Sequence, residues 1–310
     1  MRALLCPASL KGVLSAPAAA AALARGLGGE ATELPVADGG EGTAEIFEAA
    51  LGGRWHEATV HDPLGRARTA RWLRLPDGRA VVEAASAIGL PLLAPGERDP
   101  LVASSRGLGE LVTAALSSSP SALVVALGGT ATVDGGAGLL EVVRKLPVPT
   151  LALCDVDVPL EDAARLFGPQ KGASAEDVAV LERRLAERAE LRPFASLPGA
   201  GAAGGLGAAL ASLGAELAAG AAAVLDLLGF DGRLRGHDLV VTGEGRVDRT
   251  TLAGKVPGEV ARRAAPAGVR CVVFGGLVEV EVPGAETVVL SGDPGRAELD
   301  LEELGRRLAA

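Results

Sequence analysis

The 310-residue chain carries a net charge of −9, and hydrophobic residues make up 48% of it. That length can bury one large or two ordinary α/β cores, but with aromatics at 2% and no tyrosine the core is aliphatic, and any mechanism needing a phenol is excluded. The negative charge repels a polyphosphate backbone and argues against nucleic-acid binding.

In chain order, Ala3 to Cys6 reads as a first strand, because Pro7 and Lys11 interrupt the apolar start before a signal-peptide core is complete. Ser15 followed by Pro17 predicts a capped helix to about Gly26. Further short aliphatic runs, at Leu34 to Val36, Leu123 to Leu127, Thr150 to Cys154, Leu239 to Val241 and Cys271 to Phe274, predict buried strands. Helical patterns cover Glu41 to Leu51, Arg106 to Leu116, Ala175 to Ala189, Leu206 to Leu217, Pro257 to Ala264 and Gly295 to Leu308. Around His56 to Val82 the texture changes to two strand-like stretches with an Asp62-Pro63-Leu64-Gly65 turn. The apolar run Leu210 to Phe230 contains Glu216 and Asp226, so it is read as a buried helix pair and not as a membrane span.

Strands alternating with helices predict an α/β fold of two domains, each with a parallel sheet flanked by helices, the second inserted in the first. The breaks are placed so that residues 1–57 and 236–310 form a discontinuous Rossmann-like domain and residues 58–235 the insert. Cys6, Cys154 and Cys271 lack pairing or metal-ligand spacing and are expected as buried free thiols of a reducing, cytoplasmic compartment.

Chemistry concentrates at glycine-rich strand ends, where α/β folds hold ligands. Lysine is scarce, and three of the four, Lys11, Lys171 and Lys255, touch a glycine, a context in which an ammonium meets phosphate beside exposed N–H groups. The segment Val36 to Thr43 joins Asp38 to the Gly39-Gly40 pair at the start of a helix, suited to an anion, a hydroxyl or a metal. Gly128 to Gly136 repeats that pattern with Gly128, Gly129, Thr130 and Asp134. Thr242 to Asp248 sets Glu244 and Arg246 ahead of Gly254-Lys255, and Asp155 follows another strand where it can meet Mg²⁺ through water or phosphate. Each cluster would also serve as a plain turn. Arg249 and Val256 rule out a P-loop around Gly254-Lys255, and Gly199 to Gly204 matches a dinucleotide fingerprint without a buried strand before it.

Together these segments resemble the type I glycerate kinase family. The resemblance runs through Ser9 to Gly12, Val36 to Thr43, Asp62 to Gly65, Gly128 to Gly136, Cys154 to Asp157, Phe167 to Gly172, Pro198 to Gly207 and Thr242 to Asp248 with Gly254-Lys255. It implies ATP-dependent phosphorylation of D-glycerate and a two-domain α/β fold with the site between domains. On that reading Asp134, Asp38 and Lys11 are the catalytic candidates, Asp134 or Asp38 accepting the hydroxyl proton. Ser9, Gly39, Gly40, Gly128, Gly129, Thr130, Lys171, Glu244, Arg246 and Lys255 hold substrate or phosphate, and Asp155 meets Mg²⁺. The chain departs from the family's polar pattern at Ala8, Ile88, Leu108, Val133, Val158 and Thr250. Those losses keep open a diverged member with altered hydroxy-acid preference, or a ligand-binding relative with weakened catalysis. An NAD-dependent dehydrogenase reading of Gly199 to Gly204 is the remote alternative.

Overall fold

A computed structural model describes residues 1–310. Its eleven strands are β1 (Ala3–Pro7), β2 (Ala31–Glu33), β3 (Arg54–His61), β4 (Ala67–Arg74), β5 (Ala80–Glu83), β6 (Leu123–Ala126), β7 (Thr150–Cys154), β8 (Glu216–Ala219), β9 (Leu239–Val247), β10 (Arg270–Val278) and β11 (Glu286–Val289). The chain packs as two compact units, Met1–Asp38 with Ala221–Ala310, and Gly39–Gly220.

The first unit holds a five-stranded sheet in the order β11-β10-β9-β1-β2, parallel throughout. β1 is buried along its whole length because β2 and β9 flank it. Leu34 and Val36, expected as the second strand, lie just past β2; their N–H groups still donate to Leu5 and Pro7 of β1, at 2.8 and 3.0 Å. Ser15 caps the helix Ala16–Leu27 by accepting from Ala18 N at 3.3 Å, Pro17 sits in its first turn, and left-handed Gly28 ends it. That helix buries its alanine face in a core shared with Leu301 and Leu304 of the C-terminal helix Ala297–Ala309. The two helices touch backbone to backbone: a Cβ on Gly26 would lie 2.1 Å from the Glu302 carbonyl oxygen, and one on Gly305 2.5 Å from that of Leu23.

The second unit is built on a six-stranded sheet in the order β3-β4-β5-β6-β7-β8. β5 to β8 are parallel, whereas β3-β4-β5 form an antiparallel meander, which corrects the expectation of an all-parallel sheet there. The Asp62–Gly65 turn is what permits this: a two-strand hairpin needs no crossover helix, and Asp62 Oδ1 accepts from the N–H groups of Leu64 and Arg66 at 2.8 and 2.9 Å. One core cluster joins Val60, Trp72, Val82, Ile88, Leu108 and Val125. A smaller one, with Val133, Leu160, Leu181 and Ala209, lies among the helices Ala163–Phe167, Ala175–Ala186 and Ala202–Ser212.

The sequence reading breaks the chain at 57/58 and 235/236; the packing breaks it at 38/39 and 220/221. The helix Thr43–Leu51 lies on β4 and β5, and the Gly220–Leu227 helix is tied to the helix Val256–Ala267 through Arg263, which donates to Asp226 at 2.5 Å and to the Ala222 carbonyl at 3.0 Å. The apolar run Leu210 to Phe230 is not a helix pair alone, since β8 interrupts it by pairing with the open edge of β7. No helix is long and apolar enough to cross a membrane. All three cysteines are free and buried, and burial pushes the Cys154 and Cys271 thiols up to about 12.

Candidate active site

In the first unit, functional candidates gather where β1, β9 and the segment after β2 end. The loop after β1 carries Ser9 and Lys11, both exposed, and is anchored by Ala8 N donating to the Gly243 carbonyl at 2.9 Å and by the Leu10–Leu14 bridge. Gly245 in β9 lies against this loop: a Cβ there would sit 3.8 Å from Leu10 Cα and 3.9 Å from Lys11 N. Glu244 Oε1 accepts from Thr251 Oγ1 at 2.6 Å, and Lys255 Nζ stands 3.7 Å from its Oε2. Burial raises the Glu244 pKa, while the Thr251 bond and the Lys255 charge oppose the shift; Asp38 and Asp248 add repulsion, so Asp38 lies within electrostatic reach of this group. Arg246 points elsewhere, pairing with Glu279 at 2.6 Å and with Asp248 at 3.6 Å.

In the second unit the glycine segments meet one another. A Cβ on Gly128 would fall 2.6 Å from Gly40 Cα and 3.3 Å from Asp155 Oδ2, and Gly128 N donates to the Gly39 carbonyl at 3.2 Å. Gly39 in turn backs onto Leu153: a Cβ added to it would stand 2.8 Å from the Leu153 Cβ. The ends of β6 and β7 and the entry to the helix Thr43–Leu51 therefore converge on a backbone-lined spot that only glycine permits. Asp155 is exposed beside it.

Asp134, expected as a catalytic base, accepts hydrogen bonds on both carboxylate oxygens. Its Oδ2 accepts from Ser105 N at 2.9 Å, Ser105 Oγ at 2.8 Å and Gly138 N at 3.2 Å, and its Oδ1 from Gly136 N at 3.0 Å. These four donors tie the carboxylate to the turn and to the start of the following helix. Asp38, by contrast, has no hydrogen bond on its carboxylate.

Lys171 is buried at 4% exposure, and its Nζ donates to Thr130 Oγ1 at 3.2 Å and to the Thr132 carbonyl at 2.8 Å. Burial pulls its pKa down to about 8, against the attraction of Asp155 and Asp134. The kinked segment Ala203 to Gly205, left-handed throughout, supports this loop: a Cβ on Gly204 would lie 2.2 Å from the Thr132 oxygen, and Gly135 N donates to the Gly204 carbonyl at 3.0 Å.

The glycerate kinase family model matches residues 3–146 and 143–291. The chain belongs to the glycerate kinase family. It is 38% identical over 312 residues to a glycerate kinase of Bacillus subtilis (strain 168), covering 85% of this chain and 82% of that one. A glycerate 2-kinase of Escherichia coli (strain K12) shows the same identity and coverage. The crystal structure assigned to glycerate kinase 2 from Salmonella typhimurium LT2 superimposes with a TM-score of 0.87 at 32% identity, over 100% of this chain and 97% of that one.

Family membership absorbs Gly199 to Gly204, and the dehydrogenase reading falls. The segment follows a short 3₁₀ stretch, Ala189–Phe194, and a turn, where a dinucleotide fold needs a strand. The departures from the family's polar pattern also find a place. Ile88, Leu108 and Val133 are buried at 0%, 0% and 1% exposure and join the hydrophobic clusters, so three of the six changes fill cores.

Two residues of the second unit escape sequence reasoning. Glu83 ends β5 and is buried, with its Oε1 accepting from Ala44 N at 2.7 Å and its pKa raised to about 7 by burial and by the nearby Glu45 and Glu41 charges. Arg98 packs its backbone on Gly172. The only sequence signal for either was a charge in an otherwise apolar or turn-forming stretch.

Proposed function

We propose that this chain is an ATP-dependent glycerate kinase acting on D-glycerate, transferring the γ-phosphoryl group in line to a glycerate hydroxyl. What supports the reading best is placement: in each unit, the family segments that carry glycine, lysine and carboxylate lie at the carboxyl ends of parallel strands, β1 and β9 in one, β6 and β7 in the other. Exposed Lys11 and half-exposed Lys255 supply positive charge for phosphate oxygens. The Gly39-Gly40 and Gly128-Gly129 backbones supply the close approach that a phosphate needs, and Ser9 and Thr130 supply hydroxyls.

Asp38 is the base of this proposal, because both its oxygens are open, and Asp134 positions the loop that carries Thr130. Mg²⁺ takes one or two carboxylates and completes its shell with phosphates and water. Asp155, exposed beside Gly128, would hold Mg²⁺ carried by the nucleotide, and the ion would neutralise charge on the transferring group. Purified protein with Mg·ATP and D-glycerate should release ADP in proportion to glycerate consumed. Release no faster than in a control without glycerate would overturn the reading, and would leave a relative that binds without turnover.

A further inference from the structure

β11 ends the five-stranded sheet, with β10 on one side and no strand on the other. Leu290 N donates to the Gly275 carbonyl at 2.9 Å, so the N–H and C=O groups of alternate residues face β10, and those of Thr287 and Val289 face outward. The open stretch stops at Ser291, whose N–H donates to Asp300 Oδ2 at 3.0 Å. Natural edges are guarded by lysine, proline or a bulge; this one carries Val289, 61% exposed, with Glu286 as its only charge. Beside it runs a groove of about 510 Å³ between the strand end and the helix Ala297–Ala309, lined by Leu290, Arg296, Glu303, Arg306 and Arg307. Arg296 reaches Asp300 and Glu303 only at 3.5 Å, and Arg307 makes no ion pair. The Asp300 carboxylate already accepts from the N–H and the hydroxyl of Ser291. On a chain of net charge −9, this groove is left with spare positive charge.

We propose that β11 is a self-association edge, at which a second copy of this chain adds its own β11 antiparallel about a two-fold axis. Identical edges related by a two-fold must run antiparallel, and the outward groups fix the register. Thr287 of each copy faces Val289 of the other, and Val288 lies on the axis. Each Thr287–Val289 pair exchanges two N–H···O bonds, and the two five-stranded sheets become one. Both faces then match. On one, Val289 is covered by Thr287 of the second copy. On the other, Val288 and Leu290 pack toward the core shared with the C-terminal helix, and Glu286, two residues before Val288, points the same way. The register sets Glu286 of the second copy opposite Leu290, at the mouth of the arginine-lined groove. Within one chain Glu286 pairs with Arg270 at 2.7 Å, both side chains about half exposed. A surface pair of that kind is worth little, so the carboxylate can turn to Arg306 and Arg307. This match selects a second copy as the occupant: the strand that fits the edge carries the carboxylate that fits the groove.

The test is the mass of the full chain in solution, by sedimentation velocity over a dilution series, with three variants: Val289→Lys, Glu286→Arg, and Arg306→Glu combined with Arg307→Glu. All these positions are exposed, so each variant should melt near the parent. The parent should sediment as a dimer when concentrated and dissociate on dilution. Val289→Lys puts a charge where the second strand must lie and should raise the dissociation constant at least ~30-fold. Glu286→Arg alone and the double arginine variant alone should each raise it ~10-fold or more, since like charges then meet in both halves of the interface. Mixed one to one, those two proteins should form a heterodimer of near-parent affinity, because opposite charges again meet in each half. A parent that stays a single chain throughout overturns the proposal and leaves the edge to a different partner. A dimer that Val289→Lys leaves intact also overturns it, placing the interface elsewhere. Weakening in both charge variants without recovery on mixing would mean that Glu286 does not meet the arginines, and the antiparallel pairing falls.

Discussion

Glu83 stands between a helix start and a strand end, and its ionisation reports on both. Burial first, then repulsion from Glu45 and Glu41, lifts its pKa from 4.5 to about 7, and the Ala44 N–H only partly opposes this. A carboxyl whose folded pKa is raised favours the fold while protonated. Its contribution is whole below about pH 4.5 and is lost as pH rises through about 7. At roughly 1.4 kcal/mol per pKa unit, the loss at pH 8 comes to about 3 kcal/mol. Glu83→Gln keeps an oxygen for Ala44 N and cannot ionise, so it should match the parent's stability at about pH 4 and exceed it by about 2–3 kcal/mol at about pH 8. Denaturant melts at the two pH values decide this; identical curves at the higher pH would mean that Glu83 is charged in the fold at no cost. Lys11 offers a second check at the same scale. It is exposed in the loop after β1, as is Lys145 in its own loop, so neither Lys11→Met nor Lys145→Met should change stability by more than about 0.5 kcal/mol. If Lys11 neutralises transferring phosphate, kcat/KM should fall by roughly two orders of magnitude in its variant, about 2.7 kcal/mol, and stay near the parent in the other. Equal activity in both would remove Lys11 from the site.

Among the elements, the helix Ala16–Leu27 was the most legible, because Ser15, Pro17 and the alanine run each act within one turn of chain. The strands β1, β6, β7, β9 and β10 were legible for a similar reason: each is a dense aliphatic run buried on both faces. What was not legible depends on partners distant in sequence. β8 is Glu-Leu-Ala-Ala, a helical composition that becomes a strand only because the edge of β7 is open to it. β11 is half exposed and takes its register from β10. The site divides the same way. The glycine and lysine clusters showed in the sequence, but the saturation of Asp134 needed Ser105 and Gly138, and Arg98 needed its contact with Gly172. The contact between the first and last helices of the first unit was equally hidden, and it yields a prediction of its own. Gly26→Ala and Gly305→Ala each place a methyl 2.1–2.5 Å from a carbonyl oxygen of the facing helix. Overpacking of this kind costs about 1–3 kcal/mol or more, outweighing the few tenths to about 1 kcal/mol that alanine gains over glycine inside a helix. Either variant should unfold at lower denaturant with an unchanged m-value; a stabilised Gly305→Ala would mean that the helices are not in backbone contact.

At the scale of the whole molecule, the order of strands divides the chain into a part that is contiguous and a part that is not. Residues Gly39–Gly220 carry their own six-stranded sheet and two hydrophobic clusters. The other unit needs both chain ends, because β1 sits between β9 and β2, and its five residues are all buried. Without residues 1–38, the segment 221–310 would present β9 as a bare apolar edge, with Leu239, Val240 and Val241 uncovered. A fragment of residues 39–220 should therefore fold alone and melt cooperatively, and a fragment of residues 221–310 should not. The two tryptophans, Trp55 and Trp72, both lie in the contiguous unit. Trp72 is 3% exposed and stacks on His56 with ring centroids 4.5 Å apart. Its emission should be blue-shifted in the folded 39–220 fragment and shift red in one transition on unfolding. Adding residues 1–38 in trans to the 221–310 fragment should restore helical circular dichroism, since β1 and the helix Ala16–Leu27 then complete the sheet and its core. Red-shifted emission and a gradual melt from the 39–220 fragment would show that this unit depends on the chain ends for its fold, and that the division at 38/39 and 220/221 marks packing density without marking a folding boundary.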